Sequence, residues 1–491
     1  MNRKTKKPSL AQLDHRYVWH PFTQMRDWLK ADPIVITSGK GSVLRDAKGR
    51  QYLDANASIW TNLHGHNHPK INAAINRQLK KIAHSSALGF ANEPASLLAE
   101  QLVKIANPNK KKSGLDPSLL KLRRAGGVSP HQLSPHLGKV FFSDDGSTAM
   151  EVALKLAYTC ARRAGRRQPK FLALEGAYHG DTVGAVSLGH IDLFHKAYSG
   201  LLFKSDKTPA PYCYRCPHNR AKPERADART YAKCNWECLG KLEQQFAAQK
   251  KKTNPYAAFV FEPLMQGAAG MIAQPEGWLR RAAEVARGHG AQLIADEVMT
   301  GFGRTGSNFA CHKEGVQPDF MALAKGLTGG YLPMAATLTT QKVFDAFLGR
   351  YDEFKTFFHG HSFTGNQLGA SAGLASLDIL QSQESIRARK ILEQTLREES
   401  AKLWTLPNIG DIRQVGLVAG IELVRDWRTR EPFDLSERAG IRVCEAMGKK
   451  GVLTRPIGNV IVLLPPYCTT QSQARRMVRV VYEACEELFG K

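Results

Sequence analysis

Between residues 139 and 339, short apolar runs alternate with stretches of helical spacing, and this alternation constrains the fold more than any other feature of the chain. The runs are Lys139–Ser143 (KVFFS), Phe171–Leu174, Ala257–Glu262 (AAFVFE), Gln292–Asp296 (QLIAD) and Asp319–Ala324 (DFMALA), with Met334–Thr339 as a further candidate. Ser147–Ala164 carries Met150, Ala153, Leu154 and Ala157 at helical intervals, and Glu276–His289 reads as a helix closed by Gly290. Runs without a polar face imply strands buried on both sides, hence an α/β fold with a mostly parallel sheet. In such sheets ligands bind beyond the carboxyl ends of the strands. Functional residues are therefore expected just after the runs.

The flanks have a different texture. Pro33–Asp54 reads as short strands with turns at Gly39, Gly41 and Gly49. A long helical pattern runs through the 370s and 380s, and Val415–Leu423, Ala439–Lys449, Val452–Pro465 and Ala474–Leu488 close the chain as short strands and helices. We expect a large domain over residues 57–382, with 1–56 and 383–491 packing together as a smaller α+β domain.

The formal net charge is +25, which invites a nucleic-acid reading. Its location argues otherwise. Residues 1–7, 110–139 and 204–252 together hold +17 of it and read as basic insertions outside the apolar patterning. No aromatic-interleaved basic motif accompanies them, so nucleic acid is not an expected partner. No apolar run reaches the roughly 18 residues that span a bilayer. Met1–Pro8 is basic without a following apolar region, unlike a secretory signal. Nine cysteines, an odd number, fit reduced thiols. The expectation is a soluble cytoplasmic protein with no membrane partner.

Four elements follow the strands. Asp145-Gly146-Ser147-Thr148 opens a helix, where free N–H groups suit a phosphate, although such residues are commonly plain caps. Tyr178-His179-Gly180-Asp181 places an aromatic ring that could stack on a planar group or simply pack in its loop. Asp296-Glu297 ends an apolar strand, where a carboxylate requires a partner: a protonated ring nitrogen, a helix cap or an ion pair. Ala324-Lys325-Gly326 places a lysine where desolvation would lower its pKa and suit it to a Schiff base. Phosphate cradle, stacking ring, pyridinium partner and covalent lysine are together the needs of pyridoxal phosphate.

The segments LHGHNHP (Leu63–Pro69), DDGSTAMEVALK (Asp144–Lys155), YHGDT (Tyr178–Thr182), EPLMQGAAG (Glu262–Gly270), LIADEVMTGFGRTG (Leu293–Gly306) and AKGLTGG (Ala324–Gly330) resemble the fold type I, class III pyridoxal-phosphate aminotransferases. WHPFTQM (Trp19–Met25), SIWTNLHGH (Ser58–His66), HGHSFTGNQ (His359–Gln367) and TRPIGNVIVLLPPY (Thr454–Tyr467) are similar to the members that aminate 8-amino-7-oxononanoate in biotin synthesis. The resemblance implies that Lys325 forms the Schiff base and Asp296 pairs with the pyridinium nitrogen. It implies that Gly146 and Ser147 hold phosphate and that Tyr178 stacks on the ring. His361 and Ser362 would reach the cofactor phosphate of a second copy, so a homodimer with shared sites is implied. Phe22, Ile59, Trp60, Tyr178 and Gly360 would line the substrate pocket, and Arg455 would bind the substrate carboxylate.

Three positions depart from the adenosylmethionine-using pattern: Phe22 replaces a tyrosine, Ile59 the first of two tryptophans, and His361 a proline. S-adenosyl-L-methionine is placed narrowly ahead of L-lysine as donor. The competing reading is another class III ω-aminotransferase acting on ornithine, γ-aminobutyrate or a diamine.

Cys213, Cys216, Cys234 and Cys238 form the pairs CYRC and CNWEC. Four thiolates at these spacings could hold a structural zinc. Four free thiols in a surface insertion is the reading given more weight.

Overall fold

The computed structural model describes residues 7–107 and 135–490. The basic start, residues 1–6, and most of the basic stretch 110–139 lie outside the described residues.

Seven strands form the central sheet: β1 (Leu137–Ser143), β2 (Phe171–Leu174), β3 (Asp206–Thr208), β4 (Ala258–Phe261), β5 (Gln292–Asp296), β6 (Phe320–Leu323) and β7 (Ala335–Thr340), in the spatial order β1-β7-β6-β5-β4-β2-β3. β7 is antiparallel to both of its neighbours, β6 and β1. The other six strands share a direction, so their carboxyl ends share one edge.

Alternation along each strand divides the core in two. Phe171, Ala173, Ala258, Val260, Ile294 and Phe320 meet the helix α1 (Gly146–Arg163) on one face. Leu172, Leu174, Phe259, Phe261, Leu293 and Ala295 meet Leu242 and Phe246 of helix Glu237–Lys251 and Trp278 and Leu279 of helix Trp278–Gly288 on the other. Helices on both faces explain why the strands carry no polar side.

The flanking parts interlock. Strands Ile36–Lys40, Val43–Asp46 and Gln51–Asp54 form a meander, and Val452–Leu453 joins its edge parallel to Gln51–Asp54. Ile409–Val415 and Val418–Asp426 form a hairpin extended by Val460–Leu463 and Pro456–Ile457. Among the described residues, no helix is long and apolar enough to cross a membrane.

The structure corrects the reading of 204–252 as an insertion outside the apolar pattern. Asp206–Thr208 is the edge strand of the main sheet, paired with Leu172–Leu174. The arginines that follow are spent internally. Arg215 donates to Glu422 at 2.9 Å, Arg225 donates to the Ile409 carbonyl at 2.8 Å, and Arg229 pairs with Asp227 and donates to the Gln414 carbonyl at 3.0 Å. At the centre Arg413, 2% exposed, donates to Asp411 at 3.0 Å, to Glu422 at 2.7 Å and to the Met271 carbonyl at 2.6 Å. Removing one partner from a buried ionic cluster strands the others without solvent. Arg413→Leu should therefore destabilise the protein by about 3–5 kcal/mol, read as a lowered urea midpoint.

Candidate active site

The carboxyl edge of the sheet opens into a cavity of about 420 Å³. Trp60, Gly146, Ser147, Tyr178, Glu262, Asp296 and Lys325 all line it. Five strand ends thus converge on one space: α1 begins after β1, Tyr178 follows β2, Glu262 follows β4, Asp296 ends β5 and Lys325 follows β6.

At the start of α1 the cap is Asp145, whose carboxylate accepts the Thr148 N–H at 2.9 Å. Gly146 and Ser147 stand one and two positions inside, where backbone N–H groups have no intrahelical partner. The loop Tyr178–Asp181 is drawn against them. A Cβ at Gly180 would lie 2.0 Å from the Ser147 hydroxyl oxygen, and one at Gly146 would lie 2.8 Å from Val298. Only glycine permits so close an approach, and Gly180 also adopts φ +112°. The result is a shallow cradle at the positive end of an 18-residue helix.

Tyr178 is fixed by its hydroxyl, which donates to Asp181 at 2.7 Å, and its ring lies nearly parallel to that of His195. The adjacent His179 is buried and sits 2.8 Å, through Nδ1, from Asp296 Oδ2. The other oxygen of Asp296 accepts the Val298 N–H at 3.0 Å. Asp296 is thereby oriented from two sides and still faces the cavity. Its neighbour Glu297 points the other way, taking the N–H groups of Ala310 and Cys311 and the Thr300 hydroxyl. Of the three readings for this carboxylate pair, Glu297 fits the structural cap, and Asp296, paired with His179, is the group that faces the cavity.

Lys325 is held at φ +39° and lies with its Nζ over the Trp60 ring, 5.2 Å from the centroid. Burial pushes its amine below the ordinary lysine range, against the attraction of Asp296 and Glu262. Glu262 accepts the N–H of Tyr178 at 3.1 Å and of Gly267 at 2.7 Å. Burial, and then the charge of Asp296, push its carboxyl up to about 8 in spite of these donors.

Other expected residues stand apart. Phe22, Ile59, Gly360, His361, Ser362 and Arg455 do not line this cavity. Arg455 reaches the Phe22 carbonyl at 3.5 Å, and Phe22 packs edge-on against Phe194, which neighbours His195. His361 lies 3.7 Å from Asp144 of its own chain, and Ser362 is exposed. His179 and Glu262 were absent from the sequence-derived site. Each lies where the strand-end rule points, one beside Tyr178 and the other directly after β4.

The zinc reading finds no support in this geometry. Among the described residues, no group of three or more His, Cys, Asp or Glu side chains is arranged to hold a metal ion. Cys213, Cys216, Cys234 and Cys238 are free thiols in one neighbourhood. Burial, and then these neighbours, push the Cys213 thiol up to about 12. Cys238 instead packs against the apolar cluster that contains Trp278.

The family described as class-III aminotransferase matches residues 26–484. The adenosylmethionine-8-amino-7-oxononanoate aminotransferase of Geobacter sulfurreducens is 46% identical over 483 residues, covering 98% of each chain. The crystal structure of the enzyme of that name from Methanocaldococcus jannaschii superposes with a TM-score of 0.84 at 38% identity, covering 97% of this chain and 98% of that one. An amine transaminase from an uncultivated Pseudomonas species, solved with PLP bound, gives a TM-score of 0.82 at 32% identity, covering 96% and 99%.

Glu262 makes a pH prediction. Its carboxyl is raised in the folded protein, so the stability it contributes is full below the usual carboxyl range and is lost as pH rises through about 8. In ligand-free protein, melting temperatures between pH 5 and pH 9 should fall less steeply for Glu262→Gln than for the wild type. At pH 5 the variant should melt lower, because the amide leaves one of two buried N–H groups without an acceptor.

Proposed function

The chain belongs to the class-III aminotransferases, and from that premise we propose that it aminates 8-amino-7-oxononanoate to 7,8-diaminononanoate in biotin synthesis, with pyridoxal 5′-phosphate as cofactor and S-adenosyl-L-methionine ahead of L-lysine as donor. The observation that carries the reading is a lysine with a lowered pKa facing the same cavity as an oriented aspartate and a helix-start cradle. The end-to-end likeness to relatives named for this reaction supports the choice of substrate.

The residues present fit the cofactor. Gly146 and Ser147 would take its phosphate on their N–H groups, which glycine at 180 leaves accessible. Tyr178 would lie against the ring. Asp296, held by His179, would keep the ring nitrogen protonated. When bound, pyridoxal phosphate supplies an aldehyde and an electron-withdrawing ring. Lys325 supplies the amine that anchors the aldehyde. Freed from that bond, the same amine would be the group placed to accept and return a substrate proton. Burial lowers its pKa, which enlarges the neutral fraction relative to an exposed lysine. Trp60 offers an apolar wall, and Arg455, beside Phe22, would take the substrate carboxylate at the entrance.

Phe22 lacks the hydroxyl of a tyrosine, and Ile59 is half-exposed and offers no aromatic face. Both reduce what the protein can present to an adenine, which keeps lysine close behind as donor. We read residues 57–382 as the cofactor-binding domain and 1–56 with 383–491 as the smaller one. The pairing of Gln51–Asp54 with Val452–Leu453 supports that division.

We read the working form as a homodimer in which His361 and Ser362 serve the phosphate of the second copy. Their loop is tied down by His84, 3.0 Å from the Ser362 carbonyl. Phe363 packs near His84, and Leu88, Phe90, Tyr351, Phe358 and Phe363 are exposed apolar side chains of the kind a second copy would cover.

Purified protein assayed on 8-amino-7-oxononanoate with a panel of donors should turn over with adenosylmethionine, lysine or both. Activity confined to ornithine, γ-aminobutyrate or diamines would replace this reading with the broader ω-aminotransferase. Lys325→Ala should lose activity by at least the 10²–10⁴-fold typical of a removed general base, and borohydride should no longer fix cofactor to the chain. Sharing of sites has its own measurement. Lys325→Ala subunits and subunits carrying His361→Ala with Ser362→Ala, each inactive alone, should regain activity when dissociated and mixed, because one site of each hybrid is intact.

A further inference from the structure

Trp60 enters the cavity from an unusual piece of backbone. Ala57, Ser58, Ile59 and Trp60 have φ values of +42°, +40°, +61° and +73°, a left-handed turn with no glycine in it. L-residues avoid this region, and a run of four persists only where its surroundings over-determine it. At its start, the side-chain bonds come from one carboxylate. Asp54 accepts the Ser58 N–H on both oxygens, at 3.0 Å and 2.8 Å, the Ser58 hydroxyl at 3.0 Å and the Asn56 N–H at 3.2 Å. His66, arriving from beyond the turn, sits 2.8 Å from Asp54 Oδ2. Asp54 is buried and does not line the cavity.

The far end of the turn is held by close contacts. The Trp60 indole packs on Gly267, where a Cβ would lie 3.2 Å from the ring. The backbone of Thr61 and Asn62 presses on Gly330, where a Cβ would lie 2.8 Å away. With both ends fixed, the indole has one orientation, facing Lys325.

We propose that Asp54, held by His66, is a positioning residue for substrate: it locks the left-handed turn 57–60 and so fixes the Trp60 indole as the wall against which the aliphatic chain of the keto substrate lies. The proposal rests on the substrate reading above, and it assigns to a residue outside the cavity control over how well a methylene chain is held. A flat, immobile indole suits an extended aliphatic chain because apolar contact requires area and no directional partner.

A double-mutant cycle tests it. Asp54→Asn should raise KM for 8-amino-7-oxononanoate at least fivefold while kcat stays within twofold, and Trp60→Ala should raise KM to a similar degree. The double variant should match Trp60→Ala alone, since Asp54 acts through the indole. In ligand-free protein, the near-ultraviolet circular-dichroism signal lost in Trp60→Ala should also be lost in Asp54→Asn. An equal KM penalty from Asp54→Asn in the Trp60→Ala background, or an unchanged dichroism signal, overturns the proposal. Should Asp54→Asn fail to fold, His66→Gln is taken through the same cycle and the same dichroism measurement, with the same criteria. If the wild type does not turn over this keto acid, the substrate reading falls and the dichroism arm alone decides whether Asp54 positions Trp60.

Discussion

Three ionisable groups line one cavity: the Lys325 amine, the Asp296 carboxylate and the Glu262 carboxyl. Lys325 and Glu262 each respond to burial and to the charges beside them. Asp296 and Glu262 support a charge on Lys325, and burial opposes it with the larger effect. Asp296 makes a second charge on Glu262 costly, and Glu262 holds its proton to an unusually high pH. The site therefore carries less charge at neutral pH than its residue types suggest. A phosphate-bearing aromatic cation would bring its own charges into this balance, positive at the ring nitrogen beside Asp296 and negative at the helix start. Asp296 is the group able to meet the first because His179 and the Val298 N–H already fix its direction.

The sheet explains why these groups meet. Strands buried on both faces leave charge nowhere to go except their ends; six of the seven strands run the same way, and five of them end at the cavity. That much is legible in the sequence, because unbroken apolar runs are unambiguous. Phe171–Leu174 and Gln292–Asp296 have the same bounds in sequence and structure. The strand Asp206–Thr208 is not legible, since three polar residues in a basic stretch carry no apolar signal. Ile409–Val415 is hidden for the opposite reason. It buries Asp411 and Arg413 as a pair, and paired charges inside a fold look like surface charges in a sequence.

The site divides along the same line. Lys325, Asp296, Tyr178, Gly146 and Ser147 follow strands and are readable from that placement. The partnership of His179 with Asp296 spans 117 residues and leaves no local mark. Nor does the difference between Asp296 and Glu297, adjacent carboxylates of which one orients toward a cavity and the other caps backbone N–H groups. A left-handed turn is normally announced by glycine, and Ala57–Trp60 has none.

That turn ties the cavity to the ends of the chain. Asp54 terminates a strand whose outer neighbour is Val452–Leu453: the Leu53 N–H donates to the Gly451 carbonyl and the Ala55 N–H to the Leu453 carbonyl. The Leu464 N–H donates to the Ala55 carbonyl in turn. The carboxylate that constrains Trp60 is thus placed by residues nearly 400 positions later. Asp54 is held in register from two sides, by the Ser42 carbonyl of the meander, which accepts its N–H at 2.8 Å, and by the C-terminal strand paired with Gln51–Asp54. The proposed covalent lysine and the proposed substrate wall therefore rest on different parts of the chain, which meet where Gly330 packs on Thr61 and Asn62. A change confined to the C-terminal strands can for this reason alter how substrate is held while leaving the lysine and its carboxylates in place.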